Sequence, residues 1–252
     1  MTELFLGLVQ GITEFLPISS SGHIVVLSKI FNLENYGTDE ITFLHLGTFF
    51  SILIYFSKDL YSIMKNNLLF FKYIKLITVG IIPAGLVGLF LPIEEIIDSS
   101  QYILLITGVS YLFLSILLRK TDLLSEGELK IENLNYKKSF IIGLAQSIAL
   151  LPGISRSGIT IATGIHLKLK KGEAVFFSML LGIPTIFGAW LLTFIKNPIE
   201  LNFSSVGPFL VAFISGLFAI KILLEITKKS KLKIFSYYCF FFGILSIIYY
   251  FI

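Results

Sequence analysis

Two apolar stretches of the chain, Leu4 to Phe31 and Phe140 to Leu167, are long enough to cross a bilayer, but each is broken near its middle by a polar cluster. The first cluster reads Pro17-Ile18-Ser19-Ser20-Ser21-Gly22-His23 and the second Pro152-Gly153-Ile154-Ser155-Arg156-Ser157-Gly158. Proline has no amide donor and glycine admits dihedrals that other residues avoid, so neither stretch reads as one continuous helix. Irregular backbone at membrane depth persists only where protein or a water-filled cavity satisfies its polar groups. The rest of the chain must therefore fold around these two breaks.

Composition says what kind of chain does this. Of 252 residues, 55% are hydrophobic and 14% charged, against roughly 25% charged in an ordinary soluble domain. Mean hydropathy is +0.87. These values exclude a soluble globular enzyme, a disordered chain and a nucleic-acid-binding domain. The net charge of +4 is too small for a polyanion partner and marks a membrane side instead. The lone Cys239 makes no internal disulfide. Six further apolar runs, at 40–56, 76–92, 102–118, 174–195, 207–227 and 234–252, are long enough to span. The expected fold is an all-α integral membrane protein with six full transmembrane helices and two re-entrant helical hairpins.

The broken stretches are also copies. With residue n set against n+136, Gly7, Gln10, Ile12, Ile18, Ser19, Ser21 and Gly22 match Gly143, Gln146, Ile148, Ile154, Ser155, Ser157 and Gly158. This reads as an internal duplication inside one membrane domain, residues 1–252: repeat one 1–120, repeat two 137–252, and a cytoplasmic linker at 119–138. Charge sets the topology. If both stretches are re-entrant, segments 57–75, 119–138, 168–173 and 228–233 share one side and carry 4, 5, 3 and 4 Lys or Arg, while Lys29 and Lys196 face the other. If both cross, the connecting segments carry 8 on one side and 10 on the other. The positive-inside rule selects the re-entrant arrangement, in a multi-pass plasma-membrane protein with both termini extracytoplasmic. Each half then has three crossings, so the second repeat is inverted, and the two tips meet near the midplane. The start of the chain does not read as a cleavable signal, because it lacks a basic region and carries Gln10 and Glu14.

Glu14, His23 and Arg156 are ionisable groups at membrane depth, where a charge costs about 2.5–3.5 kcal/mol on translocon scales. They read as functional; the alternative is a Glu14–Arg156 ion pair that only fixes the repeat interface. Gln10 and Glu14 are four apart and share a helix face. Ser20 and His23 are three apart, which on a helical turn places hydroxyl and imidazole on one side. Beyond Gly22 a second helix is expected, and its free amides favour an anion. Arg156 supplies a planar fork for phosphate, and Ser155 and Ser157 further donors. Ser19 and Ser21 are expected to bond phosphate or to cap the helix. Together these groups form a set suited to phosphoryl transfer: nucleophile, proton carrier and oxyanion stabiliser. Their place in the bilayer implies an amphiphile with a phosphate head.

The run Gln10-Gly11-Ile12-Thr13-Glu14-Phe15-Leu16-Pro17-Ile18-Ser19-Ser20-Ser21-Gly22-His23 resembles the first signature of the undecaprenyl-diphosphate phosphatase family, also called the bacitracin-resistance family. Pro152-Gly153-Ile154-Ser155-Arg156-Ser157-Gly158 resembles the second, and the resemblance covers nearly the whole chain. It implies hydrolysis of a long-chain polyprenyl diphosphate to the monophosphate and inorganic phosphate, which recycles the lipid that carries glycans. It also implies essential roles for Glu14, Ser20, His23 and Arg156. Family members are aided by Mg²⁺ or Ca²⁺. Here Gln10 stands at the first acidic position of the motif, leaving Glu14 as the one candidate ligand and the diphosphate as the main holder of a cation. Ser20, His23 or water is the nucleophile; the motif does not separate them.

Other polar residues have plainer readings. His45 lines the site or bonds a neighbouring helix, and Gln146, the repeat mate of Gln10, does one or the other. Lys221 is expected to snorkel and His166 to face the cytoplasmic interface. Ala84 and Gly88 read as a small-residue pair for close helix packing, Tyr249 and Tyr250 as an outer aromatic belt, and Glu94, Glu95 and Asp98 as an outer acidic segment without a catalytic role. The expected partners are the membrane and a polyprenyl diphosphate lipid, with no nucleic acid; a homodimer is left open. The rival function is a transporter or flippase of a phosphorylated lipid or small anion, since inverted repeats with broken helices are a transporter architecture. A transporter needs the cation but has less use for a paired hydroxyl and imidazole. A membrane scaffold has no use for polar groups at the tips. Because the charge pattern points the first tip outward, a cysteine at Ser21→Cys should react with a membrane-impermeant thiol reagent from outside intact cells; reaction from the cytoplasmic face alone would reverse the orientation.

Overall fold

The computed structural model of the protein describes residues 2–30, 38–91, 96–97, 99–196 and 205–252. The two polar clusters break helices where their residue types demand it. Helix α1 (Thr2–Phe15) ends just before Leu16-Pro17-Ile18, and α2 (Ser20–Ile30) starts beyond it. In the second stretch α7 (Tyr136–Ser147) passes through a 3₁₀ turn (Ile148–Leu150) and the Leu151–Ile154 bend before α8 (Arg156–His166). Between them lie α3 (Thr38–Tyr55), α4 (Ser57–Lys65), α5 (Asn67–Phe90) and α6 (Ile103–Asp122). The chain finishes with α9 (Lys171–Lys196), α10 (Val206–Lys228) and α11 (Lys233–Phe251). Among the described residues there is no strand; Leu129 and Leu169 form an isolated bridge.

Five of these helices, α5, α6, α9, α10 and α11, are long and apolar enough to cross a membrane. The apolar helix Phe43–Tyr55, within α3, is shorter than these five. Helix α5 begins nine residues before the expected 76, since Asn66 accepts from the amides of Leu68 (3.1 Å) and Leu69 (3.2 Å) and caps it. Hydropathy misses this first part because Lys72 and Lys75 lower it. The acidic residues Glu94, Glu95 and Asp98 lie outside the described residues.

The half-helices are held by close backbone approaches. Helix α1 packs on α10 and α7 on α5. At the first contact Gly7 faces the Pro208 carbonyl and Gly11 the backbone of Ala212; at the second Gly143 faces the Gly80 carbonyl. A Cβ at any of these positions would collide with backbone oxygen. The close contact of α5 is thus at Gly80. It is not at the expected Ala84–Gly88 pair, because Gly88 is exposed and meets only Leu150 at 3.9 Å. Helices α6 and α11 form the largest helix pair, with Gly108 and Gly243 at their crossing, and α3 lies along α9 and α10.

Residues 123–135 are pinned to the second half. Glu126 accepts from the Lys171 amide (2.8 Å), Glu173 accepts from the Ile131 amide (2.9 Å), and the buried Lys171 ammonium donates to Ser230 (2.6 Å) and to the Leu124 carbonyl (3.3 Å). Lys221 and His166 are exposed, and His166 also bonds Thr121 at 3.2 Å. Replacing Gly143 by valine forces α7 off α5. The expected loss is about 1–3 kcal/mol, read as a lower thermal unfolding midpoint in detergent, whereas Gly88→Val should change it little.

Candidate functional site

The tips of the two broken stretches touch. The Ser155 and Ser157 hydroxyls each donate to the Leu16 carbonyl at 3.3 Å, and Gly158 packs against the Pro17 ring. Residues distant in sequence thereby become neighbours. Each tip also caps the helix that follows it: Ser19 Oγ accepts from the Gly22 amide (3.3 Å), and Ser155 Oγ from the Gly158 amide (3.1 Å). The two backbones turn differently. Ser19 carries the left-handed φ (63°) in the first tip, and Gly153 (91°) in the second. For Gly153 this costs little; for Ser19 it is an uncommon conformation needing support from its surroundings.

Glu14 is the hub. Its Oε1 accepts from Arg156 Nη2 at 2.7 Å, and its Oε2 accepts from Ser20 Oγ at 2.8 Å and from Gln10 Nε2 at 3.0 Å. Glu14 and Arg156 are both largely buried, at 8% and 12% side-chain exposure. The pair anticipated as a purely structural alternative is therefore present, but it also carries the Ser20 hydroxyl. The other terminal nitrogen of Arg156, Nη1, is buried with no hydrogen-bond partner among the described residues and packs on Gly182. An unpaired guanidinium nitrogen away from water is costly, so it is a donor waiting for an acceptor. His45 joins through Gln10, with Nδ1 3.1 Å from Gln10 Nε2, and lies 3.9 Å from the Glu14 carboxylate. Gln146 is set apart, donating to Thr185 at 3.3 Å.

His23 does not meet Ser20. Its Nδ1 bonds the Ser19 carbonyl at 2.6 Å and lies 2.9 Å from the Tyr111 hydroxyl, while its Nε2 contacts the Tyr238 hydroxyl. Among the described residues no hydrogen bond joins Ser20 to His23: Ser20 is the first residue of α2, and its side chain reaches back across the turn to Glu14. Tyr111 and Tyr238 escape sequence reading: each sits in an apolar span without a polar motif around it, like other tyrosines of this chain. Ser21 is exposed, with its Oγ 3.3 Å from that of Ser19. Ser155 and Ser157 lie 2.9 Å apart, and both are buried.

The donor set does not suit a resident divalent cation. Mg²⁺ and Ca²⁺ want several oxygen ligands with negative charge. Among the described residues Glu14 is the one carboxylate here, both of its oxygens are engaged, and a guanidinium neutralises it at 2.7 Å. Among the described residues no three His, Cys, Asp or Glu side chains converge as such a cage requires.

The family model described as bacitracin resistance protein BacA matches residues 3–245. A protein of Thermosipho melanesiensis named undecaprenyl-diphosphatase is 42% identical over 250 residues, covering 98% of each chain. Proteins with the same name from Thermosipho africanus and Methanococcus vannielii are 39% and 37% identical; the alignments cover 98% of each chain for the first, and for the second 99% of this chain and 100% of the relative.

Removing one member of a buried ion pair costs about 3–5 kcal/mol because the other charge is stranded. Arg156→Gln should therefore lower the unfolding midpoint strongly, and Glu14→Gln should do the same. The double variant, which leaves two neutral amides, should melt above Arg156→Gln; melting at the sum of the two losses would show that the groups do not act as a pair.

Proposed function

Because the chain belongs to the bacitracin resistance protein BacA family, we propose that it is an undecaprenyl-diphosphatase, a membrane hydrolase that converts undecaprenyl diphosphate to the monophosphate and inorganic phosphate. The observation that carries the chemistry is one connected set from two tips: Ser20 Oγ on Glu14 Oε2 at 2.8 Å, Glu14 Oε1 on Arg156 Nη2 at 2.7 Å, and beside them Arg156 Nη1, unpartnered among the described residues. A serine is a weak nucleophile until a base stands within hydrogen-bond reach of its proton, and Glu14 stands there.

In this reading Arg156 and the amides at the start of α2 hold the terminal phosphate. Ser20 Oγ attacks its phosphorus in line. The phosphoanhydride P–O bond breaks, and the electron pair leaves on the lipid monophosphate. Glu14 takes the Ser20 proton and passes it to the departing oxygen. The regenerated carboxylate then takes a proton from water as that water attacks the phosphoserine, and returns it to Ser20 Oγ as inorganic phosphate departs. Charge on the transferring group is met by the guanidinium, whose value rises in a water-poor site. His23 is less suited to be nucleophile or base, because both its ring nitrogens are engaged elsewhere. A Mg²⁺ or Ca²⁺ ion, were one to take part, would be held mainly by the diphosphate, and no step above depends on it.

The wider architecture belongs to the same proposal: six crossings, two re-entrant hairpins and an inverted duplication with the basic segments cytoplasmic. Two features support it. Helices α2 and α8 have the same length, 11 residues, and start 136 positions apart. The packing also repeats under that offset: α1 on α10 corresponds to α7 on α5, while α3 on α9 and α6 on α11 join matched helices.

The test is release of inorganic phosphate from undecaprenyl diphosphate by the purified protein in detergent. Ser20→Ala and Glu14→Gln should each lower kcat by roughly 10²–10⁴, and Arg156→Ala should do so with a raised KM. Normal turnover by Ser20→Ala would remove the covalent route. No turnover by folded wild-type protein would move the function to transport of a phosphorylated lipid.

A further inference from the structure

The first tip turns on a residue in an uncommon backbone conformation. Ser19 takes a left-handed backbone without being glycine, and such a residue persists only where its surroundings over-determine it. Its carbonyl oxygen accepts three hydrogen bonds, from His23 Nδ1 at 2.6 Å, from the Tyr111 hydroxyl at 3.1 Å and from the His23 amide at 3.3 Å. A carbonyl cannot donate, so His23 must carry a proton on Nδ1. With the Tyr111 hydrogen directed to Ser19, its oxygen can only accept from the same Nδ1–H, which lies 2.9 Å away. The lone pair of a neutral His23 is then on Nε2, where the Tyr238 hydroxyl lies in hydrogen-bond contact and donates to it. The ring itself is stacked on Phe242, with centroids 4.5 Å apart, and on Tyr238 at 5.5 Å; Tyr111 meets it edge-on at 6.0 Å.

We propose that Tyr111 and Tyr238 are positioning residues that hold His23 as the neutral Nδ1–H tautomer, and that His23 in turn holds the Ser19 turn that directs Ser20 at Glu14. The histidine is a strut for the nucleophile's backbone and takes no part in proton transfer. The proposal rests on the reading of Ser20 as nucleophile only for its kinetic consequence; the tautomer stands without it. Tyr238 lies on α11, 215 residues away from His23 in sequence, so the last helix of the chain sets the geometry of its first turn. Losing one such hydrogen bond should misplace Ser20 without disturbing lipid binding. That predicts a fall in kcat with KM kept, the signature of an interaction felt in the transition state.

The test uses the full chain in lipid bilayers with ¹⁵N-labelled histidine, of which there are 3. Solid-state NMR distinguishes protonated from unprotonated ring nitrogens, and loss of a signal set in His23→Asn assigns it. The expected result is a proton on Nδ1 and a hydrogen-bonded, unprotonated Nε2. In Tyr238→Phe the Nε2 signal should move toward that of a free nitrogen, with kcat for undecaprenyl diphosphate down roughly three- to tenfold and KM unchanged. Tyr111→Phe should show a similar fall in kcat. A proton on Nε2, on its own or with one on Nδ1, overturns the proposal. So does wild-type kcat in both tyrosine variants. If wild-type protein releases no phosphate at all, the hydrolase reading fails, while the NMR spectra still decide the tautomer.

Discussion

The Glu14–Arg156 contact is the interaction on which the rest of the site depends. Each group alone is expensive at membrane depth, and each stands on a separate broken helix. Bringing them to 2.7 Å offsets that cost only if both tips stay in register, so the pair ties the geometry of one half to that of the other. The same carboxylate then has one oxygen left for Ser20 and Gln10. An interaction that looks structural when seen as a pair thus sets the orientation of the hydroxyl beside it.

The close backbone contacts make this register achievable. Gly7 and Gly143, equivalent under the 136-residue offset, sit where α1 meets α10 and α7 meets α5. Small residues allow backbones to approach when lipid offers no hydrophobic drive for association. For α1 and α7 this approach supplies much of the packing, whereas α8 also buries Ile159, Ile161 and Ile165. The Leu16 carbonyl, at the break before Pro17, accepts from the Ile18 amide of its own tip at 2.7 Å and from Ser155 and Ser157 of the other at 3.3 Å. Such backbone groups must find partners within the protein in a low-dielectric setting.

The tips are alike in sequence and unlike in use. Ser19 and Ser155 both cap the helix that follows, but only the first tip carries the carboxylate and only the second the guanidinium. The left-handed residue also differs, Ser19 in one and Gly153 in the other. Tips of similar sequence thereby hold an asymmetric site, with the carboxylate and the Ser20 hydroxyl on one side and the guanidinium on the other.

Much of this was legible in the sequence. Proline and glycine in an apolar run dictate a break through covalent geometry alone, and the breaks fall where Pro17 and Pro152-Gly153 put them. Ionisable residues at membrane depth pointed to Glu14, His23 and Arg156, because burial of charge is costly anywhere in a bilayer, and the spacing of three from His23 pointed to Ser20. What the sequence did not determine was who partners whom. The spacing of three between Ser20 and His23 suits a shared helix face, but Ser20 is a helix's first residue and its side chain turns to Glu14, while His23 is claimed by Tyr111 and Tyr238. Those two tyrosines come from the sixth and eleventh helices and carry no motif. Their place at the site follows from how α6 and α11 pack beside the first tip, and long-range packing leaves no local trace in a chain where nearly every span is apolar. Local chemistry settled where the chain must break and which groups it must bury; only the tertiary structure decided which hydrogen bonds those groups make, because each depends on distances between helices far apart in the chain.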